Sequence, residues 1–238
     1  MEELREKIIN IIRDYIIKDG RVRVTARPLS SQEAIGNPEH SDYPIQKGRE
    51  RLMRADFNGA HGVAFTDMFG DYEGFLYEMV NMKLDNNFRR AIFISTINAM
   101  LKSLGLIEKT SHCKDKGLVD CQKSAVNFFK KRFGNVKIFQ VGFQPRFVEV
   151  LSKEFEFRVT DMDEENIGKR INGVMVERPE EIEKNVQWCD VIFATGSSFV
   201  NDTYKQFIVK GKQTVFYGVS CAGPVYLLDL ERYCPEGL

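Results

Sequence analysis

Apolar residues recur along this chain with two different periods, and the switches between them mark out its elements. Leu4, Ile8, Ile11, Ile12, Tyr15 and Ile16 fall on one helical stripe, and Gly20 supplies a stop. Arg21 to Ala26 alternates with period two, a strand that Pro28 ends. Ile35 to Ile45 is dense in turn formers and polar groups, a loop longer than a simple connection needs. Glu50 to Phe57 and His61 to Phe65 read as short strands around Asn58-Gly59, the dipeptide best suited to a tight hairpin turn. Helices are predicted from Tyr72 to Met82, from Asn87 to Leu104 before Gly105, and from Leu118 to Phe133 before Gly134. The second of these carries Phe88, Ile92, Phe93, Ile97, Met100, Leu101 and Leu104, a stripe too wide for a surface helix, so it is expected to be largely buried.

After Gly134 strands and helices alternate, the pattern of a parallel sheet. Val136 to Val141 is a strand, Pro145 to Lys153 its helix, and Phe157 to Asp161 the next strand. Gly173 to Val176 forms a short strand, Pro179 to Val186 a helix, Asp190 to Thr195 a buried strand and Gln213 to Val219 the last strong one. The expected fold class is α/β with two domains, a small α+β domain with a helical part over 1–133 and a nucleotide-type α/β domain over 134–238.

Composition narrows the function classes. The 238 residues, 43% hydrophobic, can bury a large core. Their 34 basic and 34 acidic side chains cancel, which removes the general electrostatic footprint of a nucleic-acid or acidic-membrane binder. Cys113, Cys121, Cys189, Cys221 and Cys234 are odd in number and form no CxxC pair, as expected in a reducing compartment. The charged start and the isoleucines interrupted by polar residues read as neither signal peptide nor membrane span, so a cytoplasmic location is expected.

Ligands of open α/β sheets sit beyond the carboxyl ends of the strands, which makes Gly142, Gln144 and Asp161 the first site candidates. A dinucleotide fold would use GxGxxG here, but Gly142 is followed by Phe143-Gln144-Pro145-Arg146, one glycine and then bulk. Ordinary NAD binding is disfavoured, and a methyltransferase-like or modified pocket is kept. Pro145 suits the first helical turn. Asp161 stands about where such folds place a carboxylate for a ribose, and an acid at a strand end is as readily a solvated turn residue.

Thr195, Gly196, Ser197, Ser198 and Asn201 gather hydroxyls, an amide and backbone N–H groups where an anion could rest. The plainer alternative is that Ser198 or Asn201 caps a helix. Gly218, with Ser220, Cys221 and Gly223, supplies a third turn on the same edge. His112, Cys113 and Cys121 are soft donors, but their spacing matches no closed zinc motif and adjacent His112 and Cys113 cannot easily point at one ion. No resident metal is expected, and His112 and Cys113 are read as lining a ligand pocket. Glu39, Asp42, Lys47, Glu50 and Asp67 lie in or beside the polar loop and hairpin. Lys47 with a carboxylate could do acid–base work if buried together, and otherwise these are solvated charges.

The stretches Ile35-Gly-Asn-Pro-Glu39, Ala64-Phe-Thr-Asp67, Asn86-Asn-Phe88, His112-Cys113, Val141-Gly-Phe-Gln-Pro145, Thr160-Asp161, Thr195-Gly-Ser197 with Val200-Asn201 and Thr203, and Phe216-Tyr-Gly-Val219 together resemble the family described as putative heavy-metal chelation. The resemblance implies an enolase-N-terminal-like domain followed by a Rossmann-like domain, with a ligand site between them. It also implies condensation or hydrolysis in the metabolism of pterin-, flavin- or siderophore-like chelators. On that reading a small ligand, anionic or heteroaromatic, is held by Asn87, Gly142, Gln144, Pro145, Asp161, Thr195, Gly196, Ser197, Asn201 and Gly218. Glu39, Lys47, Asp67, His112 and Cys113 carry the chemistry. No cofactor is specified and a homo-oligomer stays open. The alternatives are a non-catalytic heavy-metal or chelate binder and an S-adenosylmethionine-dependent methyltransferase-like enzyme.

Overall fold

The computed structural model describes residues 1–15 and 22–238. The expected helix end at Ile16 and Gly20 and the strand start at Arg21 lie outside the described residues. The first half of the chain forms α1 (Glu2–Tyr15), β1 (Arg23–Pro28), α2 (Ser31–Ile35), α3 (Pro44–Lys47), β2 (Arg51–Phe57), β3 (Ala60–Thr66), β4 (Tyr72–Phe75), α4 (Leu76–Asn81), α5 (Asn87–Ser103) and α6 (Gly117–Phe133). β1 to β4 make an antiparallel sheet in the order β3-β2-β1-β4. Asn58 and Gly59 both take positive φ, 46° and 77°, as the tight hairpin turn requires. The register that follows runs from Phe57↔Ala60 to Arg51↔Thr66.

One expectation is overturned here. Tyr72 to Phe75 is not the start of a helix but strand β4, paired with β1 from Ala26↔Tyr72 to Arg23↔Phe75. Gly74 is a poor helix residue, and the free edge of β1 takes up this segment's backbone groups, so the helix begins only at Leu76.

The second half forms β5 (Ile138–Val141), α7 (Pro145–Leu151), β6 (Phe157–Thr160), β7 (Arg170–Ile171), β8 (Val174–Glu177), α8 (Ile182–Trp188), β9 (Val191–Thr195), α9 (Ser197–Val200), β10 (Gln213–Tyr217), α10 (Ala222–Leu228) and β11 (Glu231–Tyr233). The sheet order is β11-β10-β9-β5-β6-β8-β7, parallel except for the β7–β8 hairpin. β6 lies on one side of β5 and β9 on the other, so the strand order reverses between β5 and β9. In sheets of this kind such a reversal marks, beyond the carboxyl ends of the strands, the place where ligands bind.

Successive residues of the second sheet face opposite layers, as strand geometry demands. Phe139, Val141, Ile192, Ala194 and Phe216 join one core with α5 and the first sheet. Ile138, Val191, Phe193, Val215 and Tyr217 join a second core with Phe129 of α6 and Phe147 of α7. Thus α6, which precedes residue 134, packs its apolar face on the second sheet. Helix α5 is buried without interruption from Ala91 to Leu101, because it lies between the two sheets and has no solvent face. Full burial of a side chain such as Ile92 or Phe93 contributes roughly 1.5–3 kcal/mol, so packing rather than capping holds this helix. Gly62 of β3 lets the strand and helix touch, since a side chain there would overlap the Ala99 nitrogen and the Ser95 carbonyl. Among the described residues no helix is long and apolar enough to cross a membrane.

Candidate functional site

Buried Asn98, in the middle of α5, ties the halves together. Its Nδ2 donates to the carbonyls of Val63, Val219 and Ser220 at 2.9, 3.2 and 3.2 Å, and its Oδ1 accepts from Gly223 N at 2.7 Å. Phe65 N, near the end of β3, donates to Ser220 Oγ at 2.9 Å. The open end of the β2–β3 hairpin is therefore fixed to the turn that follows β10.

That end carries two carboxyls. Arg51 pairs with Thr66, so the next residues outward, Glu50 and Asp67, are opposite one another. Asp67 Oδ1 accepts from Asn87 Nδ2 at 2.7 Å, and the same nitrogen lies 3.3 Å from Asn201 Oδ1. Arg90 bonds Asn87 Oδ1 and the Val200 carbonyl, both at 2.5 Å. The chain Asp67–Asn87–Asn201 thus runs from the first sheet through the start of α5 to the end of α9.

On the second sheet, Gly142 follows β5 with φ 85°, and a side chain at that position would press on Thr195 Cγ2 at 2.8 Å and Tyr217 Oη at 3.2 Å. Its carbonyl accepts from Tyr217 Oη at 2.7 Å and Gln140 Nε2 at 2.8 Å. Asp161, just past β6, accepts from Phe143 N at 2.5 Å with Oδ2, and from Asp163 N at 2.7 Å and Asn166 Nδ2 at 3.4 Å with Oδ1. Burial nevertheless pushes its carboxyl above the usual range.

Glu50 reaches the same edge. Burial first, then the charges of Asp161, Asp67 and Asp163, raise its carboxyl from 4.5 to about 7. Two residues from different sheets, Glu50 and Asp161, also act on the buried Tyr217 hydroxyl, which burial holds protonated. A carboxyl that exchanges its proton near neutrality is what general acid–base chemistry requires.

The sequence candidates divide into groups. Gly142, Asp161, Thr195 and Asn201 line the joined edge, with Asn87 and Asp67 facing them. Ser197 completes the Thr195 turn, its Oγ 3.2 Å from Thr195 Oγ1, and Gly196 lies against the Cys221 backbone, where a side chain would come within 2.9 Å of its nitrogen. Gly218 has φ 94° and its carbonyl takes Arg232 Nε at 2.9 Å. Gln144 spends its Oε1 capping α7 through Arg146 N at 2.9 Å, and Pro145 opens that helix. Glu39 and Lys47 are exposed, with no ion pair among the described residues. Cys113 joins a different cluster, with Cys121 and Cys234, and His112 Nδ1 lies 3.6 Å from its sulfur. Glu50 is the residue that sequence reasoning left among the loop charges. Its signal was the hairpin itself, because a two-residue turn at Asn58-Gly59 sets Glu50 opposite Asp67. Among the described residues no three His, Cys, Asp or Glu side chains are arranged to hold a metal ion.

Residues 125–222 match the family described as putative heavy-metal chelation, DUF364. No curated protein matches the chain. Among solved structures it is similar to a DUF364-family protein of unknown function from Pyrococcus horikoshii, at 15% identity and a TM-score of 0.53, covering 92% of this chain and 78% of that one. It is also similar to a DUF364-family protein of unknown function from Desulfitobacterium hafniense, at 12% identity and a TM-score of 0.56, covering 96% and 83%. By sequence over residues 125–222, and by fold over more than nine-tenths of its length, the chain resembles the putative heavy-metal chelation family.

Proposed function

We propose that the protein is an enzyme that binds a small heteroaromatic metabolite at the joined edge of the two sheets and moves protons on it through Glu50. The reaction class is condensation or hydrolysis in the making or processing of a pterin-, flavin- or siderophore-like chelator. What carries this is Glu50 at the joined edge, where burial and the charge of Asp161 from the second sheet raise its carboxyl to about 7. The field of Glu50, Asp67, Asp161 and Asp163 disfavours an anionic ligand. It favours a ring that offers N–H donors, since hydrogen bonds to a carboxylate are roughly twice as strong as neutral ones.

The donor set does not fit a resident metal ion: Asp161 accepts backbone N–H groups, Asp67 takes Asn87, and Cys113 packs in an apolar cluster with Cys121 and Cys234. A methyltransferase-like role is disfavoured because both Asp161 oxygens already accept protein N–H groups, and Thr195 and Tyr217 fill the space over Gly142.

Calorimetry against a 2-amino-4-oxopteridine, riboflavin and S-adenosylmethionine tests the reading. One of the first two is expected to bind, and Glu50→Gln to weaken it about tenfold, the equivalent of one charge-assisted hydrogen bond of about 1.4 kcal/mol. Binding of S-adenosylmethionine alone, or affinity indifferent to both Glu50→Gln and Asn87→Ala, would overturn it.

A further inference from the structure

Three of the five cysteines meet in one apolar cluster that packs against Val219 of the turn after β10. Cys113 belongs to a small apolar cluster with Ile35, Tyr43, Leu118 and Val219, and Cys121 and Cys234 pack against it. Gly117, which opens α6, makes room for this: a side chain there would lie 3.3 Å from Cys113 Cβ. Cys113 therefore rests on the helix surface at position 117, and Cys121 is four residues further along the same face. His112 Nδ1 lies 3.6 Å from the Cys113 sulfur, and the Cys121 thiol is near enough to act on its titration. The other titratable groups around the pair are Tyr43, Cys234 and Glu236.

The two thiols are not equivalent. The neighbouring Cys121 thiol, helped by His112 and opposed by burial, lowers Cys113 to about 5, while the same interaction raises Cys121. Burial raises Cys189 to about 11, Cys221 to about 12, and Cys234 above its ordinary value. One sulfur in the chain is thus set to be a thiolate, with a protonated thiol beside it, the arrangement of a nucleophilic and a resolving cysteine. Cys113 is only 7% exposed, which admits a small oxidant more readily than a peptide disulfide.

We propose that Cys113 and Cys121 form a peroxide-reactive thiol pair that closes to a disulfide across Gly117. The Cys113 thiolate attacks one peroxide oxygen, the O–O bond breaks, and hydroxide leaves and is protonated to water, giving a sulfenic acid. Cys121 then attacks that sulfur, the S–O bond breaks, and a second water carries away the Cys121 proton. Two thiols are oxidised to one disulfide and one peroxide is reduced to two waters. The bond pins the segment before α6 to the helix. That segment also holds the chain end, through Ser111 N to Leu238 O and Leu238 N to Ser111 O, both 2.9 Å.

The test is stoichiometric oxidation of the reduced full chain with hydrogen peroxide at neutral pH, followed by alkylation and peptide mapping. One equivalent is expected to remove two thiols and yield a Cys113–Cys121 cross-linked peptide, with Cys189 and Cys221 alkylated only after unfolding. In Cys121→Ser, the reaction stops at a Cys113 sulfenic acid that dimedone traps. Absolute rate is a poor readout, because a low-pKa thiolate is also a weaker nucleophile. Its pH profile is diagnostic: Cys113 reactivity should change less than about twofold from pH 6 to 8, where an ordinary thiol changes about a hundredfold. A cross-link through Cys234, an unmodified Cys113, or a Cys113 rate climbing tenfold per pH unit would overturn the proposal, and the mapping of the unaltered chain reads this without any variant.

Discussion

Replacing Glu50 with Gln is expected to stabilise the protein at pH 8 by roughly 2–3 kcal/mol and to leave it almost unchanged near pH 4. The folded chain holds the Glu50 proton up to about pH 7, whereas the ordinary carboxyl releases it at 4.5. A group bound more tightly to its proton in the folded state contributes its full stability below the unfolded value, and loses it as pH rises through the folded one. The window is therefore pH 4.5 to about 7, and stability falls across it. From 4.5 to about 7 at 1.36 kcal/mol per pH unit the ceiling is roughly 3 kcal/mol, reduced by the partial exposure of the side chain. Glutamine has nearly the same shape and no proton to lose, so its variant should show a flatter profile. Asp161 is also raised by burial, which leaves a smaller slope of the same sign. Urea denaturation at pH 4, 6 and 8 reads the difference, and parallel profiles for the two proteins would contradict it. The cost of holding this carboxyl is what a functional site shows and a purely structural one would have lost.

Asn98→Ala is expected to destabilise the chain by about 3–5 kcal/mol at every pH, a loss reached only by a short list of mechanisms. The substitution leaves the Val63 and Ser220 carbonyls and the Gly223 N–H without the partner they share, while the Val219 carbonyl keeps only Ala222 N. Each buried group left unsatisfied costs about 1–3 kcal/mol, and the low dielectric of the core allows little relief. Because these groups belong to β3 on one side and to the turn before α10 on the other, the loss should also loosen the join. Hydrogen exchange at Phe65 N, which now donates to Ser220 Oγ, is expected to accelerate beyond what the lower global stability explains. A loss below about 1 kcal/mol, with Phe65 protected as before, would show that the halves are held by apolar packing alone.

The central strands of the parallel sheet were readable because they are short and mostly apolar between turn residues, as in Val191 to Ala194, whereas the edge strand β11, Glu231-Arg-Tyr233, carries no apolar run. Strand β4 was not readable, because Tyr72-Glu-Gly-Phe75 owes its conformation to the edge of β1 rather than to its own pattern. The burial of α5 was visible in the width of its apolar stripe. The role of Asn98 was within reach of the same stripe, since it is an amide in a helix with no surface face, and a buried amide with four hydrogen-bonding positions rarely goes without partners. Which partners it finds depends on strands far away in sequence. At the site, the strand-end residues Gly142, Asp161 and Thr195 follow from topology alone. Glu50 needed the hairpin register as well, and its proton affinity needed burial first and then the charge of Asp161, which comes from another sheet.

The central claim is that Glu50 meets Asp161 at the joined edge and keeps its proton close to neutrality. A carbon-detected NMR titration of the glutamate carboxyls, with Glu50 assigned by its disappearance in Glu50→Gln, measures this without any ligand. The account predicts a Glu50 midpoint near pH 7 that moves down in Asp161→Asn. A midpoint at the ordinary 4.5, indifferent to Asp161, would contradict it.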